Sequence, residues 1–451
     1  MSTRNVDIVI LGGGFNAIYS AYSLSKKGLS VALFVDGDTL GGVMRSLVWN
    51  KIVADLGIHN LDLRTERSNI FYNEILKNDL ITWQRSDFAS FNGTSLTMGI
   101  ECPNLDGIRN FNLNALNSSV IAGSQSMIQT DNLENFLLKR FGKPIQKFIL
   151  EQIARFTDAN PKVLAASCLA SIGFLSRVFF GSDLQMEKLK SSSAYFNEAY
   201  AVTQFSEKKE FLGLNGCGNL FGYPKGGLLT FCKKIEDYFV KNKVQTFYSK
   251  IKSCKLEGDV KIIKNCNGEA ISAKRVFSTI PIRRISEFFL NKKLEDYENI
   301  GGIRLVLFYV KGKKLEEKIS LEYINDFSDN AKFFRVGAVG IKAEKADEGI
   351  VCVEVPFVPK NSQENTRINV NSIWKRVKDI NFVKDNLEYC DAQIIEYKRA
   401  YSFLTLNEER KDKQLTKILE KKNIFSVPSE LRGRESFITY FENSEFCQEI
   451  R

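Results

Sequence analysis

Hydrophobic residues at the start of the chain form two short runs separated by a helical pattern. Val6–Leu11 and Ser30–Val35 are rich in aliphatic residues, which predicts two buried parallel strands. Between them, Ala17–Lys27 carries small and apolar residues at helical spacing and is followed by Gly28, a residue favoured just beyond a helix end. The opening pattern therefore predicts a β-α-β unit.

The turn between the first strand and the helix reads GGGFNA, which is a G-x-G-x-x-A pattern. In such a turn Gly12 permits the tight bend, Gly14 lets a pyrophosphate approach the backbone, and Ala17 allows the helix to pack closely on the strand. The helix N-terminus adds free N–H groups and partial positive charge, which favour a phosphate. We therefore expect Gly12, Gly14, Phe15, Asn16 and Ala17 to bind the pyrophosphate of a dinucleotide.

An acidic residue at the end of the second strand of such a unit binds the ribose hydroxyls. The residue in this chain is Asp36, one position later than the usual spacing, which falls on Val35. Gly41 and Gly42 follow in a second glycine turn. Strand, turn, helix and acid together predict a nucleotide-binding site.

The hydrophobic pattern changes further along the chain. Residues 71–213 are mostly helical in pattern, residues 244–281 return to strand-like alternation, and residues 304–355 form another β-rich stretch. A doubly wound, Rossmann-like α/β domain is therefore expected to be discontinuous, with its crevice facing inserted material. The expected parts are the dinucleotide domain (1–62, 215–290 and 398–451), a mainly helical insertion (63–214) and a β-rich substrate domain (291–397).

The glycine-dense segment Asn215–Gly227 contains a second, accidental G-x-G-x-x-x-G. It is interpreted as a loop and not as another nucleotide-binding turn, because no strand is predicted before it and a proline follows. An amphipathic helix is predicted directly after it, over Leu228–Val240.

Composition places the chain among ordinary globular proteins. Its 451 residues are 44% hydrophobic and 26% charged, enough for two or three packed layers. The net charge of +10 is spread along the chain among acidic residues, as in Lys311–Lys318, so a solvated surface is favoured over a nucleic-acid partner. The most apolar helix candidate, Val163–Leu175, is too short to span a membrane.

The cysteines and the single histidine limit which disulfides and metal sites can be expected. The nine cysteines form no C-x-x-C pair, which predicts reduced thiols in a cytoplasmic protein and no structural zinc site. The single histidine, His59, excludes a multi-histidine metal site. The first strand begins almost at once, so no signal peptide is expected.

The glycine turns and four further segments, ADLGIHNLD, YPKGG, KIKSC and VFSTIP, resemble the FAD-dependent amine oxidase and protoporphyrinogen oxidase-like superfamily. The C-terminal third, with EYINDFSDNAKFFRVGAV, VCVEVPF and YKRAYSF, is similar to the UDP-galactopyranose mutases within it. The resemblance runs in order over nearly the whole chain. It implies a GR2-type FAD-binding fold with noncovalent FAD, since the Gly433–Tyr440 region has no cysteine or histidine to tether it.

The resemblance also implies which residues meet the cofactor. Asp36 approximates the ribose acid and Ile251 lies on the strand whose backbone meets adenine. The residues that match family positions near the flavin are Gly41, Gly42, Arg45, His59, Gly433 and Arg434. A histidine that only packs or hydrogen-bonds locally is the alternative for His59.

On the substrate side, Arg177 and Arg335 match two arginines that bind a substrate diphosphate, and Tyr440 matches a tyrosine at the same group. Two guanidinium forks from different segments could hold a diphosphate over the flavin. A structural ion pair is the alternative for either arginine, and a core side chain is the alternative for Tyr440. Together with His59 these are the expected catalytic residues.

Three functions remain open from the sequence. The favoured one is an FAD-dependent oxidoreductase that takes hydride from a small polar substrate onto flavin N5. The second is a mutase-like enzyme acting on a nucleotide sugar through reduced flavin, with NAD(P)H as a possible reductant. The third is a non-catalytic flavin-binding protein. Oxidoreduction is favoured because the chain departs from the mutases at the substrate end. Pro428–Arg432 is inserted before Gly433 in the C-terminal motif, and in the helical region Phe156-Thr157 stands where the mutases carry a tryptophan.

Overall fold

The computed structural model describes residues 4–106, 132–208, 210, 220–359, 368–428, 431 and 433–448. Within them the strands are β1 (Arg4–Leu11), β2 (Val31–Val35), β3 (Ser46–Trp49), β4 (Ile52–Asp55), β5 (Leu61–Asp62), β6 (Leu80–Gln84), β7 (Phe88–Phe91), β8 (Leu96–Met98), β9 (Leu220–Pro224), β10 (Gln245–Tyr248), β11 (Ile251–Glu257), β12 (Val260–Asn265), β13 (Ala270–Ser278), β14 (Ile300–Lys311), β15 (Tyr323–Asp326), β16 (Arg335–Gly337), β17 (Glu348–Phe357), β18 (Tyr389–Ser402) and β19 (Ile424–Ser426).

The α-helices in the same residues are α1 (Phe15–Lys26), α2 (Glu66–Leu76), α3 (Leu133–Ile153), α4 (Asp183–Ser192), α5 (Ala194–Ala199), α6 (Leu228–Lys241), α7 (Ile282–Leu290), α8 (Leu315–Lys318), α9 (Val339–Glu344), α10 (Val370–Asp379), α11 (Leu406–Glu420), α12 (Arg434–Asn443) and α13 (Glu445–Gln448). Lys77–Asp79 and Ala166–Leu175 are 3₁₀-helical.

The predicted β-α-β unit is confirmed in β1, α1 and β2. β1 and β2 pair in parallel, with Ile8 opposite Val31; β2 is wholly buried, and β1 is buried from Ile8 to Leu11. β1 also pairs in parallel with β13, and the sheet order is β10-β2-β1-β13-β12-β11 with β19 beside β13. Because β1, β13 and β19 come from distant parts of the chain, the predicted discontinuous, doubly wound α/β domain is confirmed.

A second sheet has the order β18-β14-β17-β16-β15-β7-β8. Most of it comes from the predicted β-rich region, but β7 and β8 belong to residues 63–214, where mainly helix was expected. β7 pairs in parallel with β15, with Tyr323 opposite Phe88. These short strands carry too few residues for a visible alternation. β8 pairs only with β7, and the other partner of β7 lies more than two hundred residues away in sequence, so no local pattern predicts that they join this sheet.

The glycine-dense segment contains a strand that the sequence did not predict. β9, Leu220–Pro224, pairs antiparallel with β5 and β6. Residues 215–219 of this segment lie outside the described residues. α6, Leu228–Lys241, follows directly and confirms the amphipathic helix.

Helices form a layer beside the second sheet. α3 breaks at Gly142, whose φ is 74°, two residues before Pro144. The predicted helix over Val163–Leu175 is a 3₁₀-helix that kinks at Ile172. In the described part of the chain, no helix combines the length and the apolar character that a membrane span would need.

One apolar cluster joins the β3–β4 hairpin to the second sheet. Ala54 and Ile58, on and after β4, pack with Leu305, Tyr323 and Cys352 of that sheet. A side chain at Gly337 would approach Ile58 to 2.7 Å, so β16 lies directly against the loop that follows β4. This packing fixes residues 56–60, which include His59, against the second sheet.

Candidate functional site

Two glycine turns meet at the carboxyl end of β1. The Gly41 amide donates to the Gly13 carbonyl at 2.8 Å. Gly42 has a φ of 61°, and a Cβ there would lie 2.9 Å from the Gly14 Cα, closer than real Cβ atoms come. The close approach therefore requires glycine at position 42. A Cβ at Gly14 would meet nothing among the described residues nearer than 4.0 Å, so that side of the turn is open.

The open side of Gly14 faces the start of α1. Gly14 is the N-cap residue and offers no capping side chain, and the first turn of α1, which includes Phe15, Asn16 and Ala17, has no acidic residue. The first N–H groups of a helix lack intrahelical partners and carry partial positive charge. This arrangement suits an anion such as a pyrophosphate. On the other side of the turn, Gly12 has a φ of 121°.

The second glycine turn is tied to the next loop by Arg45. Its Nε donates to the Gly42 carbonyl at 2.7 Å, and its own carbonyl accepts from the Leu56 amide at 2.8 Å. Arg45 therefore holds the turn against the segment that carries His59.

Val35 and Asp36, at the end of β2, lie in different environments. Val35 is buried and faces the first turn, since a Cβ at Gly13 would lie 2.5 Å from its Cγ1. Asp36, the next residue, is exposed. The Ser249 amide donates to the Val35 carbonyl at 3.0 Å, which brings the start of β11 at Ile251 close to this strand end. Asp36 and Ile251 therefore both lie near the carboxyl end of β2.

His59 lies in the loop that follows β4, with two arginines near it. Its Nε2 is 3.3 Å from the Leu56 carbonyl. Burial, together with the positive charges of Arg434 and Arg335, lowers the pKa of His59 to about 3. The imidazole is therefore neutral near pH 7. Arg434 is the first residue of α12 after Gly433, and its Nη2 donates to the Asn60 carbonyl at 2.5 Å.

Arg335 makes an ion pair inside the second sheet. Its Nε and Nη2 donate to the two carboxylate oxygens of Glu354 at 3.0 and 2.8 Å. Burial opposes the charge of Arg335, but Glu354 outweighs burial and raises the pKa of the guanidinium. Arg335 therefore makes the ion pair that the sequence analysis left as the alternative, and two of its five donor hydrogens are committed to Glu354.

Arg177 has a different environment. It is exposed, has no ion-pair partner among the described residues, and lines a cavity of about 520 Å³ between the second sheet and the helical layer. Arg64 and Lys190 line the same cavity. Burial and the charge of Arg177 lower the pKa of Lys190 to about 8, although its Nζ donates to two backbone carbonyls. Glu101 and Glu210 line it too, so basic side chains outnumber acidic ones by three to two, and we refer to it as the basic cavity.

Tyr440 lies elsewhere. It lines a separate cavity of about 500 Å³ together with Asn16, Thr279 and Ser426, at the carboxyl ends of the strands of the first sheet. Neither Arg177 nor Arg335 is among the described residues that line this cavity. The structure thus brings His59, Arg335 and Arg434 together, places Arg177 at the basic cavity, and places Tyr440 beside the start of α1.

Sequence reasoning did not identify the partners that set these charges. Glu354 faces Arg335 only because β16 and β17 pair in the register that puts the two residues opposite each other. The Tyr323 hydroxyl, on β15, donates to the Glu101 carboxylate at 2.6 Å. No motif marks either pair, because the two residues of each come together only in the folded chain.

A comparison with known protein families identifies the fold at the start of the chain. Residues 10–75 match the model of the NAD(P)-binding Rossmann-like domain. No curated protein matches the sequence.

Solved structures are similar over nearly the whole chain. A structure of reduced UDP-galactopyranose mutase is 14% identical, with 99% of this chain and 93% of that chain covered and a TM-score of 0.66. A protein assigned as a protoporphyrinogen oxidase from Exiguobacterium sp. 255-15 is 16% identical, with 100% and 98% covered and a TM-score of 0.63. Wild-type putrescine oxidase is 11% identical, with 100% and 99% covered and a TM-score of 0.61.

These likenesses confirm the predicted discontinuous, doubly wound α/β fold. At such low identity they show the fold alone. Activity has to be argued from the residues of the site.

Proposed function

We propose that the chain binds FAD noncovalently at the paired glycine turns and is a flavin-dependent oxidoreductase acting on a small polar substrate. The observation that carries the proposal is the open space beside Gly14 at the uncapped start of α1, with Gly42 packed against the same turn. The solved structures that share the fold are named for oxidase and mutase activities, which supports an enzyme.

The residues present fit such a cofactor. The first turn and the N–H groups of α1 would hold the pyrophosphate. Asp36 and Ile251 flank the edge at which the adenosine would bind, and Gly433 and Arg434 begin a helix beside the His59 loop. When bound, FAD supplies an acceptor for a hydride from a substrate C–H bond.

The chain's own groups set the electrostatics of this chemistry. Arg434 is fixed by the Asn60 carbonyl and contributes positive charge beside His59. His59 is neutral, so one ring nitrogen can donate a hydrogen bond and the other can accept one without adding a positive charge to the site. Ile58, next to His59, packs in an apolar cluster with side chains of the second sheet.

A nucleotide-sugar mutase is the second candidate, and the basic cavity favours it. Arg177 and Lys190 could together hold an anionic group such as a diphosphate, whereas Arg64 is already paired with Asp62. This function would require reduced flavin and hence a reductant such as NAD(P)H. The commitment of Arg335 to Glu354 weakens the expected two-arginine diphosphate site, so oxidoreduction remains the main proposal.

Flavin content of two glycine variants tests cofactor binding. Gly14→Val should prevent FAD loading without disturbing the fold, because its side chain projects into space that the protein leaves open. Gly173→Val is the matched control, since a Cβ at Gly173 also meets no described atom within 4 Å but lies far along the chain from the turn. Full flavin occupancy in folded Gly14→Val protein would contradict the proposal.

UDP binding, followed by flavin fluorescence, separates the two candidates. A nucleotide-sugar enzyme should bind UDP, and Arg177→Ala should weaken that binding roughly 10- to 100-fold, as loss of a charge-assisted contact does. Arg399→Ala, at an exposed arginine paired with Asp296, is the control. If wild-type protein with reduced flavin does not bind UDP, the mutase candidate fails and the oxidoreductase proposal stands.

A further inference from the structure

The second sheet ends at a long strand that is paired on one side only. β18, Tyr389–Ser402, has 14 residues, stands first in the strand order of this sheet and pairs with β14. No other strand in the described part of the chain pairs with it. The outer backbone N–H and C=O groups of such an edge strand can pair with a strand of another chain. β18 therefore leaves one edge of the second sheet open to a further strand.

The middle of β18 is a regular section of seven residues, 391–397, which pairs with residues 303–309 of β14 without interruption. The register shifts just beyond each end of this section. Apart from the pairing with β14, the backbone of residues 393–397 makes no hydrogen bond with a described residue. The Ala392 amide donates to the Asp391 carboxylate at 2.8 Å. Most of the regular section therefore has outer backbone groups that the described chain leaves unpaired.

Ile394 is the middle residue of the regular section. When two copies of β18 lie antiparallel about a two-fold axis at Ile394, every residue of the section faces a residue of the same section in the other copy. Opposed residues then differ by an even number of positions, so their side chains lie on the same face of the joined sheet, as antiparallel pairing requires. No other axis position pairs the whole section with itself. The pairs beside the axis are Gln393 with the partner's Ile395, Ala392 with the partner's Glu396 and Asp391 with the partner's Tyr397.

The side chains of the regular section suit this pairing. Ile394, at the axis, is 42% exposed and would meet the same residue of the second copy. Asp391 would face a tyrosine and Glu396 an alanine, so no carboxylate faces another. Glu396 is also neutralised within its own chain, because Nε of Arg304 donates to it at 2.8 Å. Aliphatic pairs across two strands are stabilising and like charges directly opposite are destabilising, so the order of residues in β18 favours its own copy.

Charges at the ends of the regular section point the same way. Lys398 and Arg399 follow the section directly, whereas Asp391 begins it. In the antiparallel arrangement the basic end of one copy lies beside the acidic end of the other. This complementarity occurs twice, once at each end, because the axis relates the two copies.

We propose that two copies of this chain associate through β18, with the strands antiparallel about a two-fold axis at Ile394. The second sheet then continues from one molecule into the other. The proposed cofactor site takes no part in the contact, so the association is expected with or without bound flavin. Seven residues per partner are fewer than the roughly 20–30 of a standard interface, so the dimer should dissociate on dilution.

Sedimentation equilibrium of the wild-type chain over about 1 to 100 µM tests the association, because a dimer forms by mass action. The measured mass should rise from one chain toward two as the concentration increases. Ile394→Lys should weaken the association at least about 10-fold, because it puts two ammonium groups opposite each other at the axis. Ile418→Lys is the matched control, on a residue of α11 that is 46% exposed, and should associate as wild type does.

A cysteine at the axis gives a second measurement. Ile394→Cys should form a disulfide-linked dimer under mild oxidation, because the Cα atoms of opposed antiparallel residues are about 4.5–5.5 Å apart, a distance that a disulfide bridges. Ile418→Cys is its control and accounts for the exposed native thiols Cys266 and Cys390. A wild-type chain that stays monomeric at the highest concentration, or a dimer that Ile394→Lys leaves intact, overturns the proposal. If Ile394→Lys does not fold, cross-linking of Ile394→Cys no faster than its control overturns it.

Discussion

At the scale of single residues, charges around His59 are arranged so that the imidazole stays neutral. Arg434 is fixed by the Asn60 carbonyl and Arg335 by Glu354, and both guanidinium groups act on His59. A positive charge on His59 would add to two existing positive charges in a partly desolvated place. The site therefore offers a hydrogen-bonding group beside the proposed cofactor and no third cation.

The protonation of His59 can be measured directly, because the chain contains one histidine. NMR of the imidazole in untagged protein should show no titration between pH 8 and pH 5, since its pKa is lowered to about 3 by burial and by the two arginines. In the unfolded chain the group titrates near 6.5, so it should reduce stability as pH falls from there. A titration midpoint near 6.5 in folded protein would contradict the described electrostatics.

The ion pair between Arg335 and Glu354 predicts an asymmetric effect on stability. Arg335→Leu should lower the free energy of unfolding by about 3 kcal/mol, because it leaves the buried Glu354 carboxylate unpaired. Urea denaturation measures this loss. Arg335→Leu combined with Glu354→Leu is the matched control and should recover most of it, since no buried charge remains. A single variant as stable as wild type would show that the pair is not formed.

At the scale of elements, the contact between the two glycine turns decides whether the site can form. Gly42 lies with positive φ against the Gly14 backbone, and the Gly41 amide joins the turns through a hydrogen bond. A side chain at position 42 would separate α1 from the segment that leads to His59. The geometry of the proposed cofactor site therefore depends on this one approach.

Two alanine substitutions test the close approach of Gly42 to Gly14. Gly42→Ala and Gly28→Ala both place a side chain at positive φ, but a Cβ at Gly28 meets nothing described within 4 Å. Backbone strain should cost each variant about 1 kcal/mol. Gly42→Ala should cost at least about 1 kcal/mol more, because the added atom meets the Gly14 Cα. Equal unfolding free energies in chemical denaturation would mean that the turns do not touch.

The sequence predicted elements that local patterns define and missed those that distant pairing defines. β1, α1, β2 and α6 were predictable, because their periodicity and glycine positions lie within the elements themselves. β7 and β9 were not, since each is a short strand stabilised by a partner far along the chain. For the same reason, Glu354 could not be predicted as the partner of Arg335, because the two residues meet only through strand register. The exact domain boundaries stay a prediction.

At the scale of the whole molecule, the loop that carries His59 packs against the second sheet and is linked to the glycine turns beside the first sheet through Arg45. The carboxyl ends of β1, β2, β13 and β19 open toward the same crevice, where ligands bind in open parallel sheets. The basic cavity lies between the second sheet and the helical layer. This arrangement separates a proposed cofactor site in one sheet from a proposed substrate site in the other.

The most direct test of this account is the visible absorption spectrum of the purified wild-type chain, followed by identification of any chromophore that denaturation releases. The account predicts a yellow protein with flavin bands that releases intact FAD in a ratio near one per chain, because the paired glycine turns and the open start of α1 bind it without a covalent link. A folded, colourless protein that takes up no FAD when incubated with it would contradict the account.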